Sequence, residues 1–237
     1  MRQTNRILLR MALGALVFLA GFAAGEPASA ADSPSGFRPP AVPLVTFDPF
    51  LSVWSEADHL TDNNTRHWTH REHALASLIR IDGKAYRLMG ADPKDVPAFR
   101  QLSVQVLPTR TIYEFEDAGV HATLTFMQPA LPHDLEVFSW PLNYVTWTVK
   151  AVDGAEHDVS IYDSTSSELV VNEVSEPVEW SRQKVGDLTA LRVGTKAQPV
   201  LGSAGDDHRI NWGYLYVAAR ADTCRSAMGG NHGLLER

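Results

Sequence analysis

The stretch "VHATLTF", residues 120–126, alternates strictly between apolar and polar side chains. Successive side chains of a β-strand point to opposite faces, so the four apolar residues from Val120 to Phe126 would share one face. The stretch "VTWTVKA", residues 145–151, repeats this alternation with threonines and a lysine on the polar face. Both stretches therefore predict strands that bury one face and expose the other.

Turn signals separate further alternating runs. Asp82-Gly83 lies inside "IRIDGKAYRL", residues 79–88, and an Asp-Gly pair between alternating runs predicts a two-residue β-hairpin. About ten short strands at this spacing, joined by short connections, predict an all-β fold, an antiparallel β-sandwich. The candidate strands beyond those already named cover residues 102–107, 111–116, 159–162, 168–171, 178–185, 188–193 and 212–218.

Most tryptophans are expected in the core of this sandwich. Trp140, Trp147, Trp180 and Trp212 lie in or beside candidate strands. Residues 220–237 have no alternation and no apolar face, so we expect a disordered tail there.

The N-terminus has the pattern of a secretory signal peptide. Arg2, Arg6 and Arg10 precede an apolar run at residues 11–24, and small residues at 28–30 form a cleavage site. We expect residues 1–30 to be a signal peptide, which predicts a secreted or periplasmic protein. Residues 31–43, rich in proline and serine, are expected to form an extended leader before a β-sandwich region at 44–219.

Composition narrows the range of partners. The formal net charge is −7 and the sequence has no basic cluster, which argues against nucleic acid or an anionic membrane surface as a partner after signal cleavage. Cys224 is the single cysteine, so an internal disulfide is excluded. No phosphate-binding or dinucleotide-binding glycine motif occurs, and we expect no cofactor.

The stretch "LSVWSEADHLTDNNTRHWTHREH", residues 51–73, concentrates the polar and aromatic residues that could bind a ligand. An exposed tryptophan beside hydrogen-bond donors is suited to a sugar or a small amide. The alternative is that both indole rings of this stretch close one end of the sandwich. The candidate ligand-binding residues are Trp54, Asp62, Arg66, His67 and Trp68.

The same stretch gives less support to a catalytic site or a metal site than to a ligand-binding site. A small hydrolase could use Asp62, His67 and Glu72, but no nucleophile motif accompanies them, and we assign no catalytic residue. His67, His70 and His73 lack the H-E-x-x-H order and could meet at one metal only from a loop, so we assign no metal ligand. The acidic groups at 206–208 and 173–179 are interpreted as solvated connections.

Several stretches resemble the N-terminal region of the glutaminase A family. They include "RPPAVPLVTFDPFLSVWS" at 38–55, "LTDNNTRHWTH" at 60–70, "SLIRIDGKAYRLMG" at 77–90 and "DDHRINWGYLYVAA" at 206–219. The resemblance implies a secreted protein, an association with glutamine hydrolysis, and a β-sandwich region built from two adjoining segments. It further implies that a large helical toroid follows in full-length members and holds the catalytic residues.

The chain departs from the family pattern at two positions. His70 stands where the family usually has glycine after "RHWT", and Trp140 stands where a smaller residue is expected. The tail from Ala221 does not resemble the family, which favours a gene fragment or a frameshift as its origin.

The resemblance favours one function over its alternative. We expect an exported accessory domain of a glutaminase-A-like hydrolase, without the catalytic domain and with the helical toroid as its partner. The alternative is an autonomous module that binds a carbohydrate or a small amide through the five candidate residues.

Overall fold

The computed structural model describes residues 38–205 and 208–229 of the 237-residue chain. The predicted signal peptide, residues 31–37 of the predicted leader, the acidic pair 206–207 and residues 230–237 of the predicted tail lie outside the described residues. Within the described residues, no helix is long and apolar enough to cross a membrane.

The described residues form twelve strands, one short α-helix and one 3-10 helix. In chain order they are β1 (Val42–Val45), β2 (Val53–Ser55), β3 (Leu75–Ile81), β4 (Lys84–Met89), β5 (Gln101–Leu107), β6 (Arg110–Asp117), β7 (Val120–Met127), α1 (Leu135–Phe138), β8 (Tyr144–Ala151), β9 (Val159–Thr165), the 3-10 helix (Ser167–Val170), β10 (Val178–Val185), β11 (Leu188–Thr195) and β12 (Leu215–Arg220).

The strands pair into four antiparallel sheets. Their strand orders are β1-β2, β4-β3-β9, β5-β6-β7-β8 and β10-β11-β12. This confirms the prediction of an all-β, antiparallel fold. The first strand begins at Val42, two residues inside the segment that the sequence analysis assigned to the leader.

The main core lies between the β4-β3-β9 sheet and the β5-β6-β7-β8 sheet. The apolar face of β7, from Val120 to Phe126, is almost completely buried, as its alternation predicts. Ile79 of β3 belongs to the same buried cluster. The indole N–H of Trp147 on β8 donates a hydrogen bond of 3.0 Å to the Ser77 hydroxyl on β3, which links the two sheets through the core.

The predicted Asp-Gly hairpin connects β3 to β4. Asp82 has φ +50° and Gly83 has φ +89°, and two successive positive φ angles define the turn type that matches the twist of a two-residue hairpin. Glycine reaches such an angle without a steric cost, while aspartate is among the residues that tolerate it best. The hairpin prediction is confirmed at its predicted position.

One predicted strand is wrong. A β-strand was predicted at Glu168–Val171, but Ser167–Val170 form a 3-10 helix that buries Leu169 and Val170. The Ser166 hydroxyl accepts a hydrogen bond from the Glu168 backbone N–H, as an N-cap side chain does. Local capping by serine therefore outweighs the short apolar run that suggested a strand.

The core assignment is also wrong for two tryptophans. Trp140 and Trp180 are exposed, whereas Trp147 packs partly buried against the core. Trp140 follows α1 in the connection from β7 to β8, and Trp180 lies on β10, an edge strand. Alternation predicts a face for a side chain, but a neighbouring layer has to cover that face before the side chain is buried.

The first part of the predicted tail contacts the β10-β11-β12 sheet. The Ala221 N–H donates to Asp187 O at 2.9 Å, and the Cys224 N–H donates to Arg220 O at 3.0 Å. The Arg182 guanidinium donates to Ser226 O. Residues 221, 224 and 226 thus follow β12 with hydrogen bonds to β10, β12 and the turn between β10 and β11.

His157 joins two turns at one end of the sandwich. Its Nδ1 lies 2.7 Å from an Asp82 carboxylate oxygen, and its Nε2 lies 3.1 Å from an Asp153 carboxylate oxygen. The hydrogen bond to Asp82, followed by the one to Asp153, raises the pKa of His157. The same contact with His157 is the largest cause that lowers the pKa of Asp82, while the Ala155 backbone N–H and then His157 lower the pKa of Asp153.

We expect the contacts of His157 with Asp82 and Asp153 to stabilise the fold within a defined pH window. The imidazolium contribution is complete below the usual histidine pKa of 6.5 and is lost as the pH rises through the raised pKa of the folded state. The carboxylate contributions are complete above the usual value of 3.8 and are lost as the pH falls through the lowered pKa values. His157→Gln should therefore lower the unfolding midpoint most between these two values and less at higher pH, as measured by thermal unfolding across pH.

His133→Gln is the matched control, because His133 lies in the exposed β7–β8 connection. Its unfolding midpoint should follow that of the wild type at every pH. An equal loss of stability for His157→Gln at pH 5 and at high pH would contradict a pH-dependent contribution of the His157 contacts.

Candidate functional site

The polar segment between β2 and β3 folds back along β2. Arg66 and Trp54 form an antiparallel bridge, in which the Trp54 N–H donates to Arg66 O at 2.7 Å and the Arg66 N–H donates to Trp54 O at 2.9 Å. A second bridge joins Arg66 to Glu72. Residues 66–72, called here the polar loop, therefore form a tight turn attached to the edge of β2.

Thr65 fixes the base of the polar loop. Its hydroxyl donates to His73 O at 2.6 Å and accepts from the Leu75 N–H at 2.8 Å. The His73 N–H in turn donates to Thr65 O at 3.1 Å. Thr65 is fully buried, so these bonds satisfy polar groups that water cannot reach.

His67 is 0% exposed, and both ring nitrogens have hydrogen-bond partners. The Thr69 N–H donates to His67 Nδ1 at 3.3 Å, and the Thr69 hydroxyl lies 2.9 Å from the same nitrogen. Because Nδ1 accepts from the Thr69 N–H, the ring proton lies on Nε2, which donates to Pro49 O at 2.9 Å. His67 thus ties the polar loop to the segment that precedes β2.

The two candidate tryptophans differ in their surroundings. Trp68 is 47% exposed, yet its indole N–H donates to Pro49 O at 2.7 Å, the carbonyl that also binds His67. Trp54 is half-buried, and its indole N–H is buried without a hydrogen-bond partner among the described residues. The exposed ring face of Trp68 is accessible to a ligand, but its polar group is already bonded within the domain.

His73 is a second buried histidine beside His67, with ring centroids 4.8 Å apart. Its Nδ1 lies 3.0 Å from Ser52 O. Burial, with His67 as the next cause, lowers the pKa of His73 to about 3. The ring is therefore neutral near pH 7, and it cannot supply a proton as a general acid there.

The three residues of the hydrolase alternative have separate partners. Asp62 accepts from the His59 N–H at 2.9 Å, and Glu72 accepts from the Asn64 side-chain amide at 2.9 Å. His67 is bonded to Pro49 and Thr69 as described above. A catalytic group needs a hydrogen bond to the group that it activates, and the described contacts of Asp62, His67 and Glu72 do not supply one among these three.

His70 adopts the left-handed conformation, with φ +65°. The glycine that the resemblance implies at this position would reach this angle without strain, whereas a side chain usually costs about 1 to 2 kcal/mol there. The His70 ring lies 2.7 Å from a Glu56 carboxylate oxygen, and its backbone carbonyl accepts a hydrogen bond of 3.3 Å from the Arg66 guanidinium. His70 therefore holds the left-handed conformation that a glycine would favour.

Residues far along the chain complete the surroundings of the polar loop. The Ile210 N–H donates to Phe50 O at 3.1 Å, and Arg71 forms an ion pair of 3.6 Å with Glu173. Arg209 is buried, donates to the Asn172 backbone carbonyl, and contributes to the lowered pKa of His73. The polar loop thus lies at a junction between the first and last thirds of the described chain.

Two carboxylates share this junction. Burial, followed by the charge of Glu72, raises the pKa of Glu168. The Ser166 hydroxyl and Arg209 act in the opposite direction and favour the charged form of Glu168. Charges from both ends of the sequence therefore partly balance each other around the polar loop.

Sequence analysis missed most members of this junction. Glu176 accepts from the Asn172 N–H at 2.8 Å and from the Asn211 side-chain amide at 2.8 Å, which places all three residues in one network with Arg209. The stretch at 206–219 resembled the family, which marked it as important, but no periodicity or spacing connects it to residues 48–73. Only the tertiary fold brings the two stretches together.

The arrangement of histidines does not form a metal site among residues 38–205 and 208–229, where no cluster of three or more His, Cys, Asp or Glu side chains could hold a metal ion. His67 and His73 each bond a backbone carbonyl, and His70 lies against Glu56. Ligand binding by Trp54, Asp62, Arg66, His67 and Trp68 stays a prediction.

Two family models match this chain. The first, described as "Domain of unknown function (DUF4964)", matches residues 20–99, and the second, "Domain of unknown function (DUF5127)", matches residues 109–235. The junction joins residues from both matches. The second match extends to residue 235, which corrects the expectation that the tail from Ala221 has no counterpart in the family.

Two curated relatives are similar to most of the chain. It is 28% identical over 199 residues to "Glutaminase A" of Aspergillus oryzae, which covers 81% of this chain and 29% of that protein. It is 24% identical over 215 residues to "Probable glutaminase/05536" of Arthroderma benhamiae, with 81% of this chain and 24% of that protein covered. The aligned part of the chain thus spans 29% and 24% of the length of these two relatives.

We expect glycine to be favoured over alanine at position 70. His70→Gly should be more stable than His70→Ala by about 1 kcal/mol, because both substitutions remove the contact with Glu56 and only glycine relaxes at a positive φ. Urea unfolding of both variants measures the difference. Glu56→Gln, which removes the carboxylate beside the His70 ring and leaves the backbone unchanged, isolates the contribution of that contact, expected to be below about 1 kcal/mol at this exposed site.

An alanine variant as stable as the glycine variant would show that the backbone at position 70 is not strained.

Proposed function

This chain belongs to the family described as "Domain of unknown function (DUF5127)", and from that premise we propose that it is an exported accessory domain of a glutaminase-A-like hydrolase. Its role is to support a separate catalytic domain, not to carry out hydrolysis. The arginine-rich start and the apolar run at 11–24 support export. The similarity to "Glutaminase A" supports the class of hydrolase.

The observation that carries this proposal is that the polar groups of the polar loop and of nearby Asp62 are hydrogen-bonded within the domain. Both nitrogens of His67, the indole N–H of Trp68 and the carboxylate of Asp62 are bonded within the domain. A site that binds or converts a ligand needs polar groups that are free to meet it. The polar loop is therefore better suited to holding the two matched segments together than to binding a carbohydrate or a small amide.

Thr69 and His67 form the one contact in the polar loop that resembles an activated nucleophile. The Thr69 hydroxyl lies 2.9 Å from His67 Nδ1, and Pro49 O orients the opposite side of the ring. However, His67 Nδ1 also accepts from the backbone N–H of the same Thr69, and a neutral carbonyl stands where a catalytic triad has a carboxylate. This geometry favours a local turn over an activated hydroxyl.

The connection from β7 to β8 offers a surface for the catalytic domain. It carries five exposed apolar side chains, and exposed Tyr144 follows at the start of β8; these six residues are called here the apolar loop patch, and α1 within it has no buried residue. Exposed aromatic and aliphatic side chains that lie close together mark interaction surfaces. The patch consists of Leu131, Leu135, Phe138, Trp140, Leu142 and Tyr144.

We assign a helical toroidal domain as the occupant of this patch. The aligned part is 29% of the Aspergillus oryzae protein and 24% of the Arthroderma benhamiae protein, so most of each relative lies outside it. The resemblance to the glutaminase A family implies that this remainder contains the toroid. Helices present ridges of side chains that can receive aromatic residues such as Phe138 and Trp140.

The purified chain should release no ammonia from glutamine above the buffer rate, in an assay in which "Glutaminase A" of Aspergillus oryzae serves as the positive control. Thr69→Val and Asp62→Asn should leave this baseline unchanged. Ammonia release by the wild type that Thr69→Val abolishes, with unfolding curves unaltered, would show that the domain is itself an enzyme.

The apolar loop patch should bind the part of the Aspergillus oryzae protein that lies outside the aligned region. Replacing Leu135 and Phe138 together by serine should weaken that binding at least about tenfold, since buried aromatic and aliphatic anchors dominate such interfaces. Isothermal titration calorimetry measures the affinity. Val174→Ser is the matched control, because Val174 is an exposed apolar residue outside the patch.

Equal binding by the double variant and the control would place the docking surface elsewhere.

A further inference from the structure

β8 is an edge strand of the four-stranded sheet, and no other described strand pairs with the side that faces away from β7. It pairs with β7 in an unbroken antiparallel register from Tyr144 to Ala151. The Val152 N–H donates to Gly119 O at 2.9 Å, which continues this register by one hydrogen-bonded pair. Hydrogen-bonded and non-hydrogen-bonded pairs alternate along an antiparallel ladder. The backbone N–H and C=O groups of every second residue, from Val145 to Ala151, therefore point away from β7.

These outward backbone groups form no hydrogen bond with any residue that the structure describes. They belong to Val145, Trp147, Val149 and Ala151. The side chains of the first three are only partly buried where they pack against the core. The free edge of β8 is thus a row of unpaired backbone groups beside apolar side chains that the domain covers incompletely.

β8 lacks the features that normally protect an edge strand from pairing with another chain. Protected edges are short, bulged, or interrupted by proline or by charged side chains. β8 has eight residues, no proline and no bulge, and its single charge, Lys150, lies next to its end. β10, an edge strand of the same length, carries Glu179, Arg182 and Lys184, and β5, at the opposite edge of the four-stranded sheet, has an irregular register. β8 is therefore suited to the addition of a strand from another chain.

We propose that β8 pairs antiparallel with β8 of a second copy of this chain, so that two four-stranded sheets form one continuous sheet across a twofold axis. With the axis at Trp147, this residue faces its own counterpart, and Val145 faces Val149 of the second copy. All three residues carry outward backbone groups, so the N–H and C=O groups of both strands meet in hydrogen-bonded pairs. The same pairing covers the incompletely buried side chains with apolar side chains of the second copy.

The outer face of the paired strands is self-complementary too. Thr146 faces Thr148 of the second copy, and cross-strand threonine pairs stabilise a sheet. Tyr144 is exposed and faces Lys150 of the second copy, which places an ammonium group beside an aromatic ring. Because the strands are antiparallel, the two lysines lie at opposite ends of the contact. A second copy therefore satisfies the backbone and both faces of β8 without bringing like charges together.

The dimer does not rest on the accessory role proposed above. Tyr144 is the one residue that β8 shares with the apolar loop patch, and the other members of the patch precede the strand. A contact made mainly by one pair of strands falls below the roughly 1,200 to 2,000 Å² of stable interfaces, so we expect a weak dimer with a Kd on the order of 10 μM.

Sedimentation velocity of the purified mature chain over a range of concentrations measures the dimer. Thr146→Lys combined with Thr148→Lys should raise the Kd at least about tenfold, because like charges would then lie directly opposite each other across the twofold axis. Ser103→Lys combined with Gln105→Lys is the matched control. Both control residues are exposed on β5, at the other edge of the same sheet, and the Kd should not change.

Amide hydrogen exchange of the unaltered chain locates the contact, and it keeps the test valid if the lysine variant does not fold. The N–H groups of Val145, Trp147 and Val149 should exchange more slowly above the Kd than below it, whereas those of Thr146 and Thr148, bonded to β7, should be protected at both concentrations. A chain that stays monomeric well above the expected Kd would overturn the proposal. A dimer that the lysine variant leaves unchanged would overturn it too, and so would concentration-dependent protection at β10 or β12 in place of β8.

Discussion

The buried face of β7 is the constraint on which the main sandwich depends. Its alternation places every second side chain, from Val120 to Phe126, against the β4-β3-β9 sheet, and a shift of one residue would turn the whole row outward. The backbone hydrogen bonds of β6 and β8 with β7 then fix the register of these two neighbouring strands. The Trp147 to Ser77 hydrogen bond then adds a directional contact to packing that is otherwise non-directional.

The polar loop is stabilised in a different way, by hydrogen bonds that pair its buried polar groups. One carbonyl, Pro49 O, accepts from both His67 and Trp68, and so ties two residues of the loop to the chain before β2. The second matched segment also reaches this region, because the Ile210 N–H donates to Phe50 O and Arg209 contributes to the lowered pKa of His73. Histidine suits such a position because its neutral ring can donate on one side and accept on the other. Closely spaced histidines are thus explained by hydrogen bonding without invoking a metal or a reaction.

Much of the sandwich could be predicted from the sequence, but little of the site. Period-two alternation and the Asp82-Gly83 turn are local properties, and they located β3, β4, β7 and β8 well. The prediction that Trp140 and Trp180 are buried was wrong, because burial depends on whether another layer covers the strand. The hydrogen-bond network that includes Glu176 and Arg209 could not be predicted for a related reason, since both residues lie more than 100 positions along the chain from the polar loop. The left-handed turn at His70 was flagged only because the family resemblance placed a glycine there.

The apolar loop patch is the exposed surface of the domain that best fits a protein partner. It is built from side chains without buried polar atoms, and burying them against another protein surface requires only shape and apolar area. The polar loop differs from the patch because its polar groups are already hydrogen-bonded within the domain. A protein partner therefore fits the patch, and the polar loop holds the domain together.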